Sequence, residues 1–192
     1  ALDPGADSDS LVYARVGQRV PIEWLAERMI VRSSNLATNA LIELLGARAV
    51  DSTVRSLGAT RMRVLRGVED SRAFERGLNN VTTARDLAEL LLAIAEERAA
   101  LPASCRRMVE ILSRQEFDDE IPAGLPPGTR VAHKTGWITG IVHDAAIVYP
   151  TGVRPYVLVV LTRGIERRET AQALIAEISR LVWAEYGSRS AK

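Results

Sequence analysis

The chain has 192 residues, 47% of them hydrophobic and 26% charged, with a formal charge of +1. That composition excludes a disordered chain, and a charge so near zero gives no reason to expect nucleic acid or an anionic membrane surface as a partner. Cys105 is the only cysteine, which excludes an intrachain disulfide, and no apolar run reaches the ~18 residues of a membrane span.

The polar start, "ALDPGADSDS", lacks both Met and an apolar h-region, so it does not read as a signal peptide. It reads like the middle of a longer sequence. Pro21 suits a first helical position, and "IEWLAERMI" places Ile22, Leu25, Ala26, Met29 and Ile30 on one helical face. "NLATNALIELLG" predicts a second, very apolar helix stopped by Gly46, and "ARAVDSTVRSLG" a short third ending at Gly58. Periodicity then fades from "ATRMRVLRGVED" to "FERGLNN", predicting a long loop of the kind that is functional when ordered. Thr83 and Asp86 make a capping-box-like start for a helix running to about Arg98. "ASCRRMVEILSRQ" predicts another helix, and "IPAGLPPG" a loop.

The last third changes period. "TRVAHKTGWI", "HDAAIVYP" and "RPYVLVVLTRG" predict three strands, with turns at "GIVH" and "PTGVRP", before an amphipathic helix over "RRETAQALIAEISRLVWAEYG". The class is α+β: residues 15–115 a mainly helical lobe, 116–192 an antiparallel sheet with a C-terminal helix. The chain reads as a single domain, 1–192. A three-stranded sheet with so apolar a last strand calls for a further neighbour, and residues 1–80 offer none, so the domain is expected to be incomplete at its N-terminus.

Two short stretches carry chemistry. Lysine occurs twice among 25 basic residues, at Lys134 and Lys192. Lys134-Thr135-Gly136 ends a predicted strand, offering an ammonium, a hydroxyl and a backbone that a ligand can approach closely. This is either an anion or carboxylate site or a solvated strand end. In "SSNLATN", Ser33 and Asn35 sit at a helix junction. They either cap the second helix or project into a cleft as a proton relay and an amide donor. Two histidines and one cysteine make no metal cluster, and no cofactor is implied.

The order S-x-N, long loop, "TTARDL", K-T-G resembles the class A β-lactamases and the related penicillin-recognising serine hydrolases. The likeness runs from about Ala14 to the end of the last helix. It implies a β-lactamase/transpeptidase-like fold with its N-terminal strands and central helix missing from this sequence, and acyl transfer to a serine. By resemblance, Ser33 shuttles a proton to the β-lactam nitrogen and Asn35 binds the substrate's side-chain amide. Lys134 and Thr135 hold the substrate carboxylate, beside Gly136. Trp137 supplies a backbone N–H to the oxyanion hole, of order ~3–4 kcal/mol in the transition state. A compact ammonium beside a serine is not replaced by an arginine fork, which accounts for lysine at 134. His143 stands where many class A enzymes carry a carboxylate-binding arginine. It makes either that contact, with pH dependence, or a structural one inside the strand.

The chain departs from the pattern twice. No serine has a lysine three positions on; Ser52 and Ser104 are followed at that spacing by Arg55 and Arg107. The family's nucleophile and general-base lysine would therefore lie on an upstream segment of the same protein, and this chain alone is expected to be inactive. Glu69 stands near the place of the deacylation glutamate, but Ala73 replaces the asparagine of E-x-x-x-N. Glu69 is either the base or a solvated loop carboxylate, with Glu75 a further candidate. The expected partner is a small β-lactam or cell-wall-peptide-like substrate. The family implies a periplasmic or secreted location. The competing expectation is a non-catalytic penicillin-binding-like module for ligand binding or interaction.

Overall fold

The computed structural model describes residues 7 and 9–190. Most of the polar start and Lys192 lie outside the described residues. Two compact units follow one another, Ala1–Leu90 and Leu91–Lys192.

The first unit is helical. α1 (Ser10–Tyr13) is capped by Asp9, whose buried carboxylate also takes a two-pronged salt bridge from Arg28 of α2 (Ile22–Val31). Pro21 is the N-cap of α2 rather than its first residue. Ile22 is 61% exposed, so it lies off the face predicted for it. α3 (Asn35–Leu45) ends at Gly46, and α4 (Ala47–Ser56) follows at once. The long loop then runs to Thr83, holding one short helix, α5 (Ser71–Glu75). Its neck is closed by an isolated bridge between Arg63 and Val81. Beside it, the Asn80 amide accepts from the N–H groups of Leu65 and Arg66 and donates to the Arg66 carbonyl. α6 (Ala84–Ala95) begins with the Asp86 N–H donating to Thr83 Oγ1 at 3.1 Å, the forward half of the predicted capping box. It stops three residues before Arg98.

In the second unit α7 (Pro102–Leu112) packs on β1 (Arg130–Ile138), so this helix belongs with the sheet. β2 (Ile141–Tyr149) and β3 (Tyr156–Arg163) complete an antiparallel sheet in the order β1-β2-β3. The first turn is tighter than "GIVH" suggested, because Ile141 to His143 already belong to β2. Lys134 pairs with Ala145, Thr135 with Asp144 and Gly136 with His143. Since successive side chains alternate across a strand, His133, Thr135 and Trp137 share one sheet face with Val142, Asp144 and Ala146. Lys134 and His143 stand on the other.

α8 (Arg168–Ser190) covers the first of these faces. Ala171, Ile175 and Ser179, one helical stripe at i, i+4 and i+8, are fully buried. Ala171 and Ile175 pack with Ile121, Val142, Ala146, Val148 and Val160. A single 3₁₀ turn, Pro122–Gly124, locks the loop before β1 to α8. Ser179 Oγ donates to the Ile121 carbonyl at 2.8 Å, and a Cβ at Gly124 would meet the Ala176 carbonyl oxygen at 2.0 Å. Only glycine fits there. No helix among the described residues is long and apolar enough to cross a membrane.

Candidate active site residues

The first group lies where α2 gives way to α3. The chain turns between the two helices in a single step, and Ser33 takes it in the left-handed region, with φ 57°. A non-glycine residue held there costs of order 1–3 kcal/mol and clusters at functional positions. Of the two roles open to the SSN stretch, capping falls to Ser34. Its fully buried hydroxyl accepts from the Ala37 N–H at 3.2 Å and donates to Asp7. Asn35 spends its amide elsewhere, with Nδ2 donating to Glu69 Oε1 at 2.7 Å. Glu69, exposed on the long loop, is also left-handed, at φ 57°. Two of the three non-glycine residues with positive φ among those described are thus Ser33 and Glu69.

Asn39 fixes the loop under Glu69. Its Nδ2 donates to the Val68 carbonyl at 3.0 Å, and its Oδ1 accepts from the Val68 N–H at 2.7 Å. This side-chain amide replaces a strand partner for one residue of loop. Nothing in the sequence singled Asn39 out beyond its place in "SSNLATN". A Cβ at Gly67 would lie 2.4 Å from Asn39 Oδ1. Gly67→Ala is therefore expected to expel the amide, lose both bonds and destabilise the protein by about 1–3 kcal/mol. Denaturant unfolding measures this, and a loss below about 0.5 kcal/mol would refute the clamp. An open cavity of about 520 Å³ borders the loop, lined by Asn39, Ile42, Glu43, Gly67 and Glu69 among others. Neither Ser33 nor Asn35 lines it. Glu75, at the end of α5, is exposed, and Ala73 is buried in the same helix.

The second group lies on the sheet. Lys134 is half-buried, and its Nζ donates to the Thr135 carbonyl at 2.5 Å. Burial pushes its pKa down to about 8, opposed by the negative charges of Asp144 and Glu120. Thr135 is 3% exposed, and its hydroxyl has no hydrogen-bond partner among the described residues. A Cβ at Gly136 would meet nothing within 4 Å, so the backbone there is open to close approach. The Trp137 ring is clamped between Phe117, edge-on at 5.1 Å, and the Arg168 guanidinium, 3.9 Å above it. That clamp fixes the residue whose N–H was the oxyanion candidate. The His143 ring is held against the sheet backbone, its Nδ1 2.7 Å from the Val142 carbonyl and 3.2 Å from the Thr162 N–H.

Behind Lys134, on the α8 face, lies a polar cluster that the sequence reading missed. Asp144 is fully buried, and its Oδ2 accepts from the Ile121 N–H at 3.0 Å. His133, 2% exposed, places Nδ1 at 3.1 and 3.2 Å from the two Asp144 oxygens and Nε2 at 3.3 Å from Asp118. Burial pulls the His133 pKa down, but Asp144, by hydrogen bond and charge, and then Asp118 raise it above its usual value. Glu120 is fully buried, held by Gln172 at 3.0 Å, and raised by that burial. The available signal was Asp144 itself, a charge inside an otherwise apolar strand.

The model of the β-lactamase enzyme family matches residues 4–186. A β-lactamase of Streptomyces albus G is 30% identical over 169 residues, covering 85% of this chain and 54% of its own length. The chain spans about half the length of the curated relatives it matches. Among solved structures, PBP-A aligns with a TM-score of 0.85 at 29% identity, covering 94% of this chain and 66% of that one. A variant of PBP-A, captured as its acyl-enzyme with penicillin G, aligns at 0.80 and 30% identity over 88% of this chain and 62% of that one. An ancestral class A β-lactamase aligns at 0.81 and 31% identity, covering 94% and 71%. The chain therefore belongs to the β-lactamase enzyme family, on its class A side.

Proposed function

We propose that this chain is the part of a class A β-lactamase-like serine hydrolase that binds the substrate and moves its protons. The reaction is acyl transfer from a β-lactam, or a related amide or ester, to a serine on a segment outside this sequence. That serine passes its proton to the general-base lysine expected on the same segment and attacks the carbonyl, the C–N bond breaks, and Ser33 delivers a proton to the departing nitrogen. Lys134 holds the substrate carboxylate, Asn35 its amide, and the Trp137 N–H the developing oxyanion. Water then attacks the ester, Glu69 takes its proton, and the serine is released. Without that segment the chain alone is inactive. The location is periplasmic or secreted, where such substrates occur.

The observation that carries this reading is the 2.7 Å bond from Asn35 to Glu69. It joins the asparagine of the second motif to the loop carboxylate 34 residues on, bringing the proposed substrate-binding group and the proposed base together. A second reading has its own observation. Ala73, buried in α5, has no amide to help hold a hydrolytic water, so the acyl-enzyme would persist, as in a penicillin-binding protein. The likeness to PBP-A agrees with it.

The denatured intact mass of the protein from its native source, with and without benzylpenicillin, tests the proposal. A chain well above 21.0 kDa that gains the drug's mass is expected. A chain of about 21.0 kDa with no adduct would replace it with a non-catalytic binding module.

A further inference from the structure

Asp144 and Glu120 are costly to keep. Each is fully buried, and the effective penalty for burying a carboxylate is several kcal/mol. They adjoin a core of Val142, Ala146, Val148 and Val160, which apolar residues in their places would extend. The fold secures them all the same. Asp144 is held by the Ile121 N–H and His133, and Glu120 by Gln172 of α8. The second oxygen of Glu120 is buried with no hydrogen-bond partner among the described residues.

Both bear on Lys134. Asp144 stands on the central strand, opposite Thr135, one pair away from Lys134. Its charge, and then that of Glu120, are the two that oppose the loss of the lysine's proton. The other charged groups around this layer are His133, Asp118, Asp119 and Arg168, the last two acting on Glu120 with opposite signs.

We propose that Asp144, seconded by Glu120, is a positioning residue for Lys134: a buried anionic layer on one face of the sheet keeps the lysine an ammonium on the other. His133 modulates the layer. As an imidazolium it cancels the charge of Asp144. Once it loses its proton, the layer becomes more negative and its hold on the ammonium tightens. The pH rise that would strip Lys134 is thereby resisted. The functional consequence, substrate carboxylate binding, rests on the role proposed for Lys134; the electrostatic claim does not.

The test is an NMR titration of the lysine Cε in the intact protein, with Lys134 assigned by the resonance missing from Lys134→Arg. Asp144→Asn keeps the shape and the acceptor for Ile121. It is expected to lower the Lys134 midpoint by about one pH unit, the size expected for losing a nearby opposite charge. Glu120→Gln is expected to lower it by less. The proposal is overturned if Asp144→Asn unfolds at the wild-type temperature and the midpoint stays within about 0.2 unit. If Asp144→Asn does not fold, Glu120→Gln decides by the same criterion. A shifted midpoint combined with wild-type acylation in Lys134→Ala would leave this inference standing and remove the role of Lys134 in binding.

Discussion

Replacing Lys134 with alanine in the intact protein is expected to slow acylation by benzylpenicillin about 10²–10³-fold, the loss typical of a charged or oxyanion-type contact in an enclosed site. The fold should survive, because burial already disfavours the charge that alanine removes. Intact-mass time courses follow the adduct, and thermal unfolding checks the fold. An unchanged acylation rate in a folded variant would mean that Lys134 has been assigned wrongly. The wild type should show a matching pH dependence. A lysine with its pKa near 8 is charged below that pH and neutral above it. Binding of an anionic substrate should therefore be complete below pH 8 and fall as pH rises through it, up to about tenfold per unit. Uncharged ester substrates should show no such limb.

Glu69→Gln is expected to act on the other half of the cycle. The adduct should form at nearly the wild-type rate and then persist, with deacylation slower by about 10²–10³-fold, within the usual range for losing a general base. Glutamine keeps an oxygen to accept from Asn35, so the loop should hold its shape. Single-turnover mass measurements separate the two steps. If the adduct decays as fast as in the wild type, Glu69 is a solvated carboxylate and Glu75, exposed at the end of α5, becomes the candidate.

Much of the fold could be read along the chain because the signals were local. The apolar run ending at Gly46 became α3, Thr83 began α6, and the β-branched run of β3 set the sheet's edge. Ile22 and the end of α6 went astray for another reason. Which residues of an amphipathic stretch are covered depends on what packs against it, and periodicity does not encode that. The types and order of the candidate residues Ser33, Asn35, Glu69 and Lys134 were readable along the chain. Their conformations were not. That Ser34 rather than Ser33 caps α3 depends on a left-handed turn no propensity predicts. The Asn39 clamp, the Asn80 closure and the His133–Asp144 pair join residues 11 to 29 positions apart in sequence, and single-sequence patterns carry no such pairings.

The left-handed backbone at Ser33 and Glu69 has an evolutionary meaning. Glycine would adopt either conformation freely, so each position has an easy exit by which the protein would gain of order 1–3 kcal/mol. Natural domains have a margin of only about 5–15 kcal/mol. A lineage released from the need for a hydroxyl and a carboxylate would thus find drift toward glycine favoured twice over. On the roles proposed for them, the serine and glutamate at these turns are places where selection for chemistry outweighs selection for stability, and first losses of function in relatives should be sought there.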